Sequence, residues 1–138
     1  MPELRAKDRD NALYIAEEET LFPCRQFISV SDAQGFVDGI LASRWWKKRS
    51  PITEVRLSYA VAPKWSQSWI RDGIGFVDIT GGWLNEAWIT HEMAHLLAPK
   101  TGHGPEFFAA YMEMVRWKRG AWRCKRLREA LKAEGVET

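Results

Sequence analysis

The sequence has few cysteines and no long apolar run, which excludes several classes of protein. Its only cysteines, Cys24 and Cys124, are a hundred positions apart and form neither a disulfide framework nor a Cys-x-x-Cys site. No apolar run approaches the roughly 18 residues that cross a bilayer, and the first residues lack an apolar signal region. We therefore expect free thiols, no membrane contact and a cytoplasmic location.

Histidine is also scarce, and its three copies are clustered. His91, His95 and His103 all fall within thirteen residues of the chain. Because a helix turns once every 3.6 residues, His91 and His95 should share one face and could bind one cation together. This cluster is the strongest indication of chemistry in the sequence.

A third metal ligand has to come from outside that helical turn, and His103 is the remaining imidazole. Pro99 should end the helix, while Gly102 and Gly104 allow the backbone to turn back toward the metal. Three protein ligands with an open fourth position are typical of a catalytic zinc site. We therefore predict that a zinc ion, Zn2+, is held by His91, His95 and His103.

Glu92 directly follows the first predicted ligand and should point partly toward the same side. Zinc lowers the pKa of a bound water from about 15.7 toward about 7, and a nearby carboxylate can accept the proton of that water. Glu92 is therefore the predicted catalytic base.

Two other interpretations of the histidines remain open. They could be core residues whose imidazoles bond to backbone carbonyls, since the helix around them is apolar on nearly every side. They could also hold a structural zinc ion, although such a site normally has a fourth protein ligand and the sequence suggests none.

At these residues the chain resembles the SprT-like zincin metallopeptidases, in which a His-Glu-x-x-His helix precedes a loop and a His-Gly-x-x-Phe segment. The matching positions are His91, Glu92 and His95, then His103, Gly104 and Phe107. Ala98-Pro99 and the run His-Gly-Pro-Glu-Phe are similar to small uncharacterised bacterial and phage metallohydrolases. The resemblance implies zinc ligation by the three histidines and Glu92 as general base.

The resemblance is specific only over about residues 86–108. Many SprT-like proteins add a cysteine-ligated zinc ribbon, which a chain with two cysteines does not contain. The SprT-like proteins that carry this ribbon therefore give only weak support for DNA-linked substrates in this protein.

Length and hydrophobic periodicity predict one domain, residues 1–138, of the α+β class, with a small sheet packed against helices that include the histidine helix. The resemblance implies that this domain is zincin-like. Helices are expected at about 8–19, from a capping box at Ser31 and Gln34 toward Trp45, around the histidines up to Pro99, after Pro105 and at about 121–133. Strands are expected at 53–61 and 74–80. Three glutamates, residues 17–19, oppose the dipole at the end of the first helix, so that end should fray.

The second predicted strand, residues 73–80, comes directly before the histidine helix. In zincins generally, an edge strand beside the metal binds the peptide substrate in extended form through main-chain hydrogen bonds. This segment is therefore either the strand that binds substrate or an ordinary interior strand.

Basic residues are concentrated near the end of the chain. Residues 116–128 contain seven positive charges with Trp117 and Trp122 among them, and a second basic and aromatic patch lies at residues 45–49. Residues 116–138 carry a net charge of +5, eight bases less three acids, whereas residues 1–22 carry −3, three bases less six acids. The basic C-terminal helix could contact nucleic acid, or it could be a solvated helix face.

The residue that stabilises the transition state is not determined by any motif. Tyr14, Tyr59, Tyr111 and Arg116 are candidates, and we favour Tyr111 because it lies two turns into the helix after His103. The alternative is that Tyr111 is a core residue. Glu106 could orient a ligand histidine or simply complement the dipole of its helix.

The sequence therefore predicts a zinc-dependent hydrolase, most reasonably a metallopeptidase acting on a peptide or protein. The alternative is a nucleic-acid-associated binding protein with a zincin fold and a chiefly structural metal.

Overall fold

The computed structural model describes residues 6–60, 66–80, 84–100 and 102–138. These residues form six helices and a three-stranded mixed sheet, an α+β arrangement. In chain order the elements are α1 Ala6–Leu21, α2 Val30–Ala42, α3 Arg44–Lys47, β1 Val55–Ala60, β2 Gln67–Arg71, β3 Ile74–Thr80, α4 Glu86–Leu97, α5 Pro105–Arg119 and α6 Ala121–Ala133. Within the described ranges, no helix is long and apolar enough to span a membrane.

The sheet has the order β1-β3-β2. β3 pairs in parallel with β1 and antiparallel with β2, so both of its edges are occupied. The predicted strand at 74–80 is confirmed, but the prediction that it could be an edge strand for substrate is wrong. The edge beside α4 belongs to β2 instead.

β2 was not predicted, although the chain carries a signal for it. Asp72 and Gly73 join β2 to β3 with φ angles of 52° and 77°. Two successive positive φ values are typical of a tight hairpin turn, for which Asp-Gly is a preferred sequence. Polar residues in β2 hide the alternation of apolar and polar side chains by which a strand is predicted from sequence. The Asp72-Gly73 turn was therefore the more informative signal.

The start of α2 differs from the prediction. Ser29, rather than Ser31, is the N-cap, and its side chain accepts a hydrogen bond from the backbone N–H of Asp32. Asp32 in turn accepts a hydrogen bond from the backbone N–H of Ile28. This cap consists of a serine and an acidic residue three positions after it, which is a form of the capping-box pattern. The pattern therefore lies two residues earlier in the chain than predicted.

Gln34 does not serve the N-terminus of α2 but binds the outer edge of β1. Its Nε2 donates to Val55 O at 2.8 Å, and its Oε1 accepts from Leu57 N at 2.9 Å. The amide therefore makes the two hydrogen bonds that a neighbouring strand would otherwise make at this position. Val55 and Leu57 are buried, and Val61, at the end of the strand predicted at 53–61, lies outside the described residues.

α1 continues to Leu21, and the prediction that its end frays at the glutamates is wrong. Glu17 is 1% exposed, because it points into the molecule and bonds to side chains of α4 and α5. Glu18 and Glu19 remain exposed. Tertiary contacts therefore outweigh the unfavourable dipole interaction.

α4 packs between the sheet and α5. Its approach to β3 is close at Gly75, where an added Cβ would lie 2.9 Å from Val55 Cγ2 and 3.0 Å from Leu96 Cδ1. Ile89 and Met93 are completely buried on the same helix. This packing holds the histidine helix rigidly against the sheet.

The remaining helices agree closely with the sequence. α5 begins at Pro105 after the N-cap Gly104, and α6 spans the predicted residues and is followed by Gly135 with φ 84°. α2 ends at Ala42 instead of continuing toward Trp45, because Ser43 takes an extended conformation and caps the short helix α3.

Candidate metal centre

α4 places His91 and His95 one turn apart on the same face. Asn85 begins the helix by accepting a hydrogen bond from Trp88 N at 3.0 Å. The two imidazole centroids are 5.0 Å apart, with His91 2% exposed. The predicted pairing of these histidines on one helical face is therefore confirmed.

The loop after α4 brings His103 to the same point. Gly102 has φ 52°, a backbone conformation that glycine adopts without strain. His103 Nε2 lies 3.0 Å from His91 Nε2 and 3.1 Å from His95 Nε2. The three histidines thus lie close enough to bind one metal ion, their candidate ligand atoms all within 4.8 Å of one another.

Two of the three separations are close to those expected around a tetrahedral zinc ion. Zinc–nitrogen bonds of about 2.0–2.1 Å place neighbouring ligand nitrogens roughly 3.3 Å apart in tetrahedral geometry. The observed 3.0 and 3.1 Å are within a few tenths of an ångström of that value.

Two carboxylates hold the outer nitrogens of the cluster. His91 Nδ1 lies 2.6 Å from Glu17 Oε2, and His103 Nδ1 lies 2.7 Å from Asp10 Oδ1. A carboxylate accepts hydrogen bonds, so each ring carries a proton on Nδ1, and in the neutral form that binds a metal this leaves the lone pair on Nε2. Bare lone pairs that converge at 3 Å repel one another, and a cation between them removes the repulsion.

The sequence analysis did not identify Asp10 or Glu17. Together with Tyr14 they occupy positions i, i+4 and i+7 of α1, which place them on one helical face. The sequence signal that could have identified them was this polar stripe, because the helix otherwise has little amphipathic character. It became meaningful only once α1 was seen to pack beside α4.

Glu17 also connects the cluster to α5. The hydroxyl of Tyr111 donates to the same Glu17 Oε2 that His91 contacts. Tyr111 is completely buried, and burial, followed by the charge of Glu17, raises its pKa well above the ordinary value. Tyr111 is therefore the core tyrosine that the sequence left as an alternative, and it does not line the cleft described below.

Burial also determines the protonation of the imidazoles. It lowers the pKa of His95 to about 3, with a smaller effect of the neighbouring His91 and His103, and it lowers the pKa of His103. Burial opposes protonation of His91 as well, but the adjacent Glu17 carboxylate raises its pKa overall. His95 and His103 are therefore neutral near pH 7, the form that binds metals.

Glu92 is 6% exposed and lies beside the cluster. Its Oε2 accepts no hydrogen bond from the described residues. Desolvation raises the pKa of its carboxyl, while the nearby His91 and Ser68 act in the opposite direction. A buried carboxylate oxygen without a partner is costly unless a ligand or water completes it.

A cleft of about 560 Å³ opens at the cluster. Its walls come from α1, β2, α4 and the loop after α4. The lining residues are Tyr14, Ser66, Gln67, Ser68, Trp69, Ile70, His91, Glu92, His95, Leu96, Pro99, Lys100, Gly102 and His103. The cleft therefore contains the three histidines, the predicted base and one edge of the sheet.

Phe107 forms the floor beneath the ligands. Its ring stacks on His95 with centroids 4.3 Å apart, and it is completely buried. Glu106, its neighbour, is exposed in the first turn of α5. The position of Glu106 agrees with a role at the helix dipole, which was one of the two interpretations of this residue.

The basic C-terminal residues lie away from the cluster. From Phe107 to Lys118, α5 extends eleven residues, or about 16 Å at 1.5 Å per residue. Arg119 pairs with Glu86 at 3.1 Å, and Arg123 donates to Thr20 O at 2.8 Å, so both hold helices together.

The two aromatic patches meet at a stacked pair of rings. Trp45 and Trp117 stack with centroids 4.7 Å apart, and Arg49 lies 4.0 Å from the centre of Trp45. Trp122 remains 63% exposed beside Arg126. The predicted contact with nucleic acid stays a prediction, and these residues make internal contacts that the sequence did not reveal.

The histidine cluster is defined by its own geometry: three converging ring nitrogens, two supporting carboxylates and a buried acid at one cleft. Among the described residues, these three histidines are the group of potential ligands close enough to hold an ion. Comparison with known protein families, with curated proteins and with solved structures finds no match to this chain.

Proposed function

We propose that this chain is a zinc-dependent metallopeptidase whose ion is held by His91, His95 and His103 and whose general base is Glu92. The observation that carries the proposal is the convergence of the three Nε2 atoms at 3.0 and 3.1 Å. Carboxylates on the outer nitrogens of two rings fix the tautomer that a metal requires.

The charge of the site also favours a divalent cation. Asp10, Glu17 and Glu92 place three carboxyl groups around imidazoles of which two are neutral near pH 7. Glu17 and Glu92 are buried, and buried negative charge is costly without a compensating cation. Three nitrogen ligands favour zinc over magnesium or calcium, because those two ions prefer oxygen ligands.

When bound, zinc supplies a Lewis acid that polarises a carbonyl group and makes water more acidic. Glu92 accepts the proton of the attacking water through its unpartnered Oε2 as the water oxygen bonds to the carbonyl carbon. The same carboxyl then donates that proton to the leaving nitrogen as the C–N bond breaks. Burial, which raises the pKa of Glu92, suits a group that must both accept and return a proton.

β2 is suited to bind an extended peptide. Among the described residues it pairs only with β3, and its first four residues, with Ser66 directly before them, line the cleft next to Glu92. Main-chain hydrogen bonds to this edge would hold a substrate with little demand on its sequence. The opposite edge of the sheet is partly occupied by the Gln34 amide, so the edge at the cleft is the more available one.

The proposal is tested with Glu92→Gln. We expect hydrolysis of an unfolded protein such as casein, and of quenched fluorescent peptides, to fall by at least about 100-fold. Zinc content and melting temperature should remain close to those of the wild type, because the ligands are unchanged. Glu106→Gln, an exposed acid on α5, is the matched control and should keep full activity.

Two results would contradict the proposal. Full activity in Glu92→Gln would remove the mechanism. A zinc-loaded wild type that hydrolyses none of these substrates, but melts lower after chelation, would favour the alternative of a structural metal in a binding protein.

A further inference from the structure

Tyr14 occupies a distinctive position in α1. It lies one turn after Asp10 and one turn before Glu17, the two residues that support the ligand histidines. Its ring centroid lies 6.2 Å from that of His91 and 6.0 Å from that of His103. The helical face that supports the proposed ligands therefore also places a phenol ring beside two of them.

The two tyrosines near His91 differ in their access to the cleft. Tyr14 is partly buried and lines the cleft, whereas Tyr111 is completely buried and bonds to Glu17. Tyr14 lines the cleft together with Glu92 and the three histidines. A substrate in the cleft meets Tyr14 and not Tyr111.

We propose that Tyr14 is a catalytic residue whose hydroxyl donates a hydrogen bond to the oxygen of the scissile carbonyl as negative charge develops there. This inference rests on the proposed peptidase function. A tyrosine O–H is a donor at neutral pH, and its ring is held by neighbouring aromatic side chains, including Trp88 at 5.9 Å. A donor held in place before the reaction contributes more than one that must reorganise.

The step balances without any proton transfer from Tyr14. As the water oxygen bonds to the carbonyl carbon, the carbonyl π pair moves onto its oxygen, and Tyr14 stabilises that charge by a hydrogen bond. When the C–N bond breaks, the pair returns to restore the carbonyl group. Glu92 accounts for the proton taken from water and given to the leaving nitrogen, and Tyr14 keeps its own.

Lys100 is the principal alternative donor, because it also lines the cleft and carries a positive charge. It is exposed in the loop after α4, where its flexible side chain is solvated. Tyr14 has a stiffer side chain and a position fixed by the helix that supports two ligands. The comparison of Tyr14→Phe with Lys100→Met therefore discriminates between them.

The test compares Tyr14→Phe with Tyr111→Phe, each of which removes one hydroxyl near His91. For Tyr14→Phe we expect kcat to fall about 100-fold or more while KM changes by less than about threefold, with zinc content and melting temperature preserved. Tyr111→Phe should instead weaken zinc binding or lower the melting temperature, and keep most of kcat once zinc is saturating.

A second readout does not depend on turnover. A phosphinic peptide carries a tetrahedral phosphorus whose oxygens mimic the charged transition state. Calorimetry at low temperature, where each variant is folded, should show its Kd at least about tenfold weaker for zinc-loaded Tyr14→Phe than for the wild type. Binding of the unreacted peptide substrate to Glu92→Gln and to the double variant Glu92→Gln, Tyr14→Phe should be nearly equal.

The outcomes separate this inference from the proposed function. If Glu92→Gln is inactive while Tyr14→Phe keeps the kcat and phosphinic-peptide affinity of the wild type, the role of Tyr14 is refuted and the peptidase remains. A large loss in Lys100→Met but not in Tyr14→Phe assigns the role to Lys100. Absence of hydrolysis by the zinc-loaded wild type overturns both proposals.

Discussion

His91 Nδ1 lies 2.6 Å from Glu17 Oε2, and this contact joins α4 to α1 across 74 positions of sequence. Both side chains are at most 3% exposed, so the contact is shielded from water. It fixes the orientation of one proposed ligand and determines which of its nitrogens faces the cluster. The N-terminal helix is therefore a part of the candidate metal centre although it supplies none of the three imidazoles.

Glu17→Gln should weaken zinc binding by about 10- to 100-fold, the usual effect of removing a carboxylate that supports a ligand histidine. The amide keeps the shape but loses the charge that favours the Nδ1–H tautomer. Zinc affinity is measured by competition with a fluorescent chelator. Glu18→Gln, one position along on the exposed face, is the control and should bind zinc as the wild type does. Equal affinities for the two variants would show that the contact does not support the ligand.

The metal-free protein should lose stability as the pH falls below about 6.5. The pKa of His95 is about 6.5 in the unfolded chain and about 3 in the folded protein, so between these values the unfolded chain binds a proton that the folded chain does not. Stability from this group is complete above pH 6.5 and is lost as the pH falls toward 3, with a slope of up to about 1.4 kcal/mol per pH unit. His91, with a raised pKa, acts in the opposite direction.

The measurement is urea unfolding at a series of pH values for the wild type and His95→Gln, both freed of metal. His95→Gln removes the imidazole with the lowered pKa, so its free energy of unfolding should fall less steeply as the pH decreases. A decline of equal slope in the two proteins would show that His95 is not the source of the acid sensitivity.

Gly75→Ala should destabilise the fold by about 1–3 kcal/mol, the usual cost of overpacking a core. The new methyl group would lie 2.9 Å from Val55 Cγ2 and 3.0 Å from Leu96 Cδ1, and both of those side chains are buried. Gly39→Ala in α2 meets no atom within 4 Å and should instead stabilise by up to about 1 kcal/mol. Denaturant unfolding of both variants measures the difference, and equal free energies of unfolding would contradict the close approach of β3 to α4.

Sequence patterns predicted the structure correctly where it depends on residues close together in the chain. The spacing of His91 and His95 predicts a shared helical face, and Pro105 and Gly135 mark one helix start and one helix end correctly. β3 was predicted because glycines at 73, 81 and 82 bound the segment 74–80. β2 was missed because Gln67 and Ser68 make its pattern polar, and only the Asp72-Gly73 turn indicates a hairpin.

The sequence alone determined which residues could bind a metal and supply a base, because helical periodicity and ligand chemistry are local properties. It did not determine how the sheet is ordered, and so the edge at the cleft belongs to β2 rather than β3. Nor did it pair Asp10 with His103 or Glu17 with His91, since contacts 93 and 74 positions apart arise only when whole helices pack. The packing of α1 against α6 and of α4 against α5 brings these pairs together. That packing is driven by burial of apolar surface over whole helices, which a short sequence motif does not reveal.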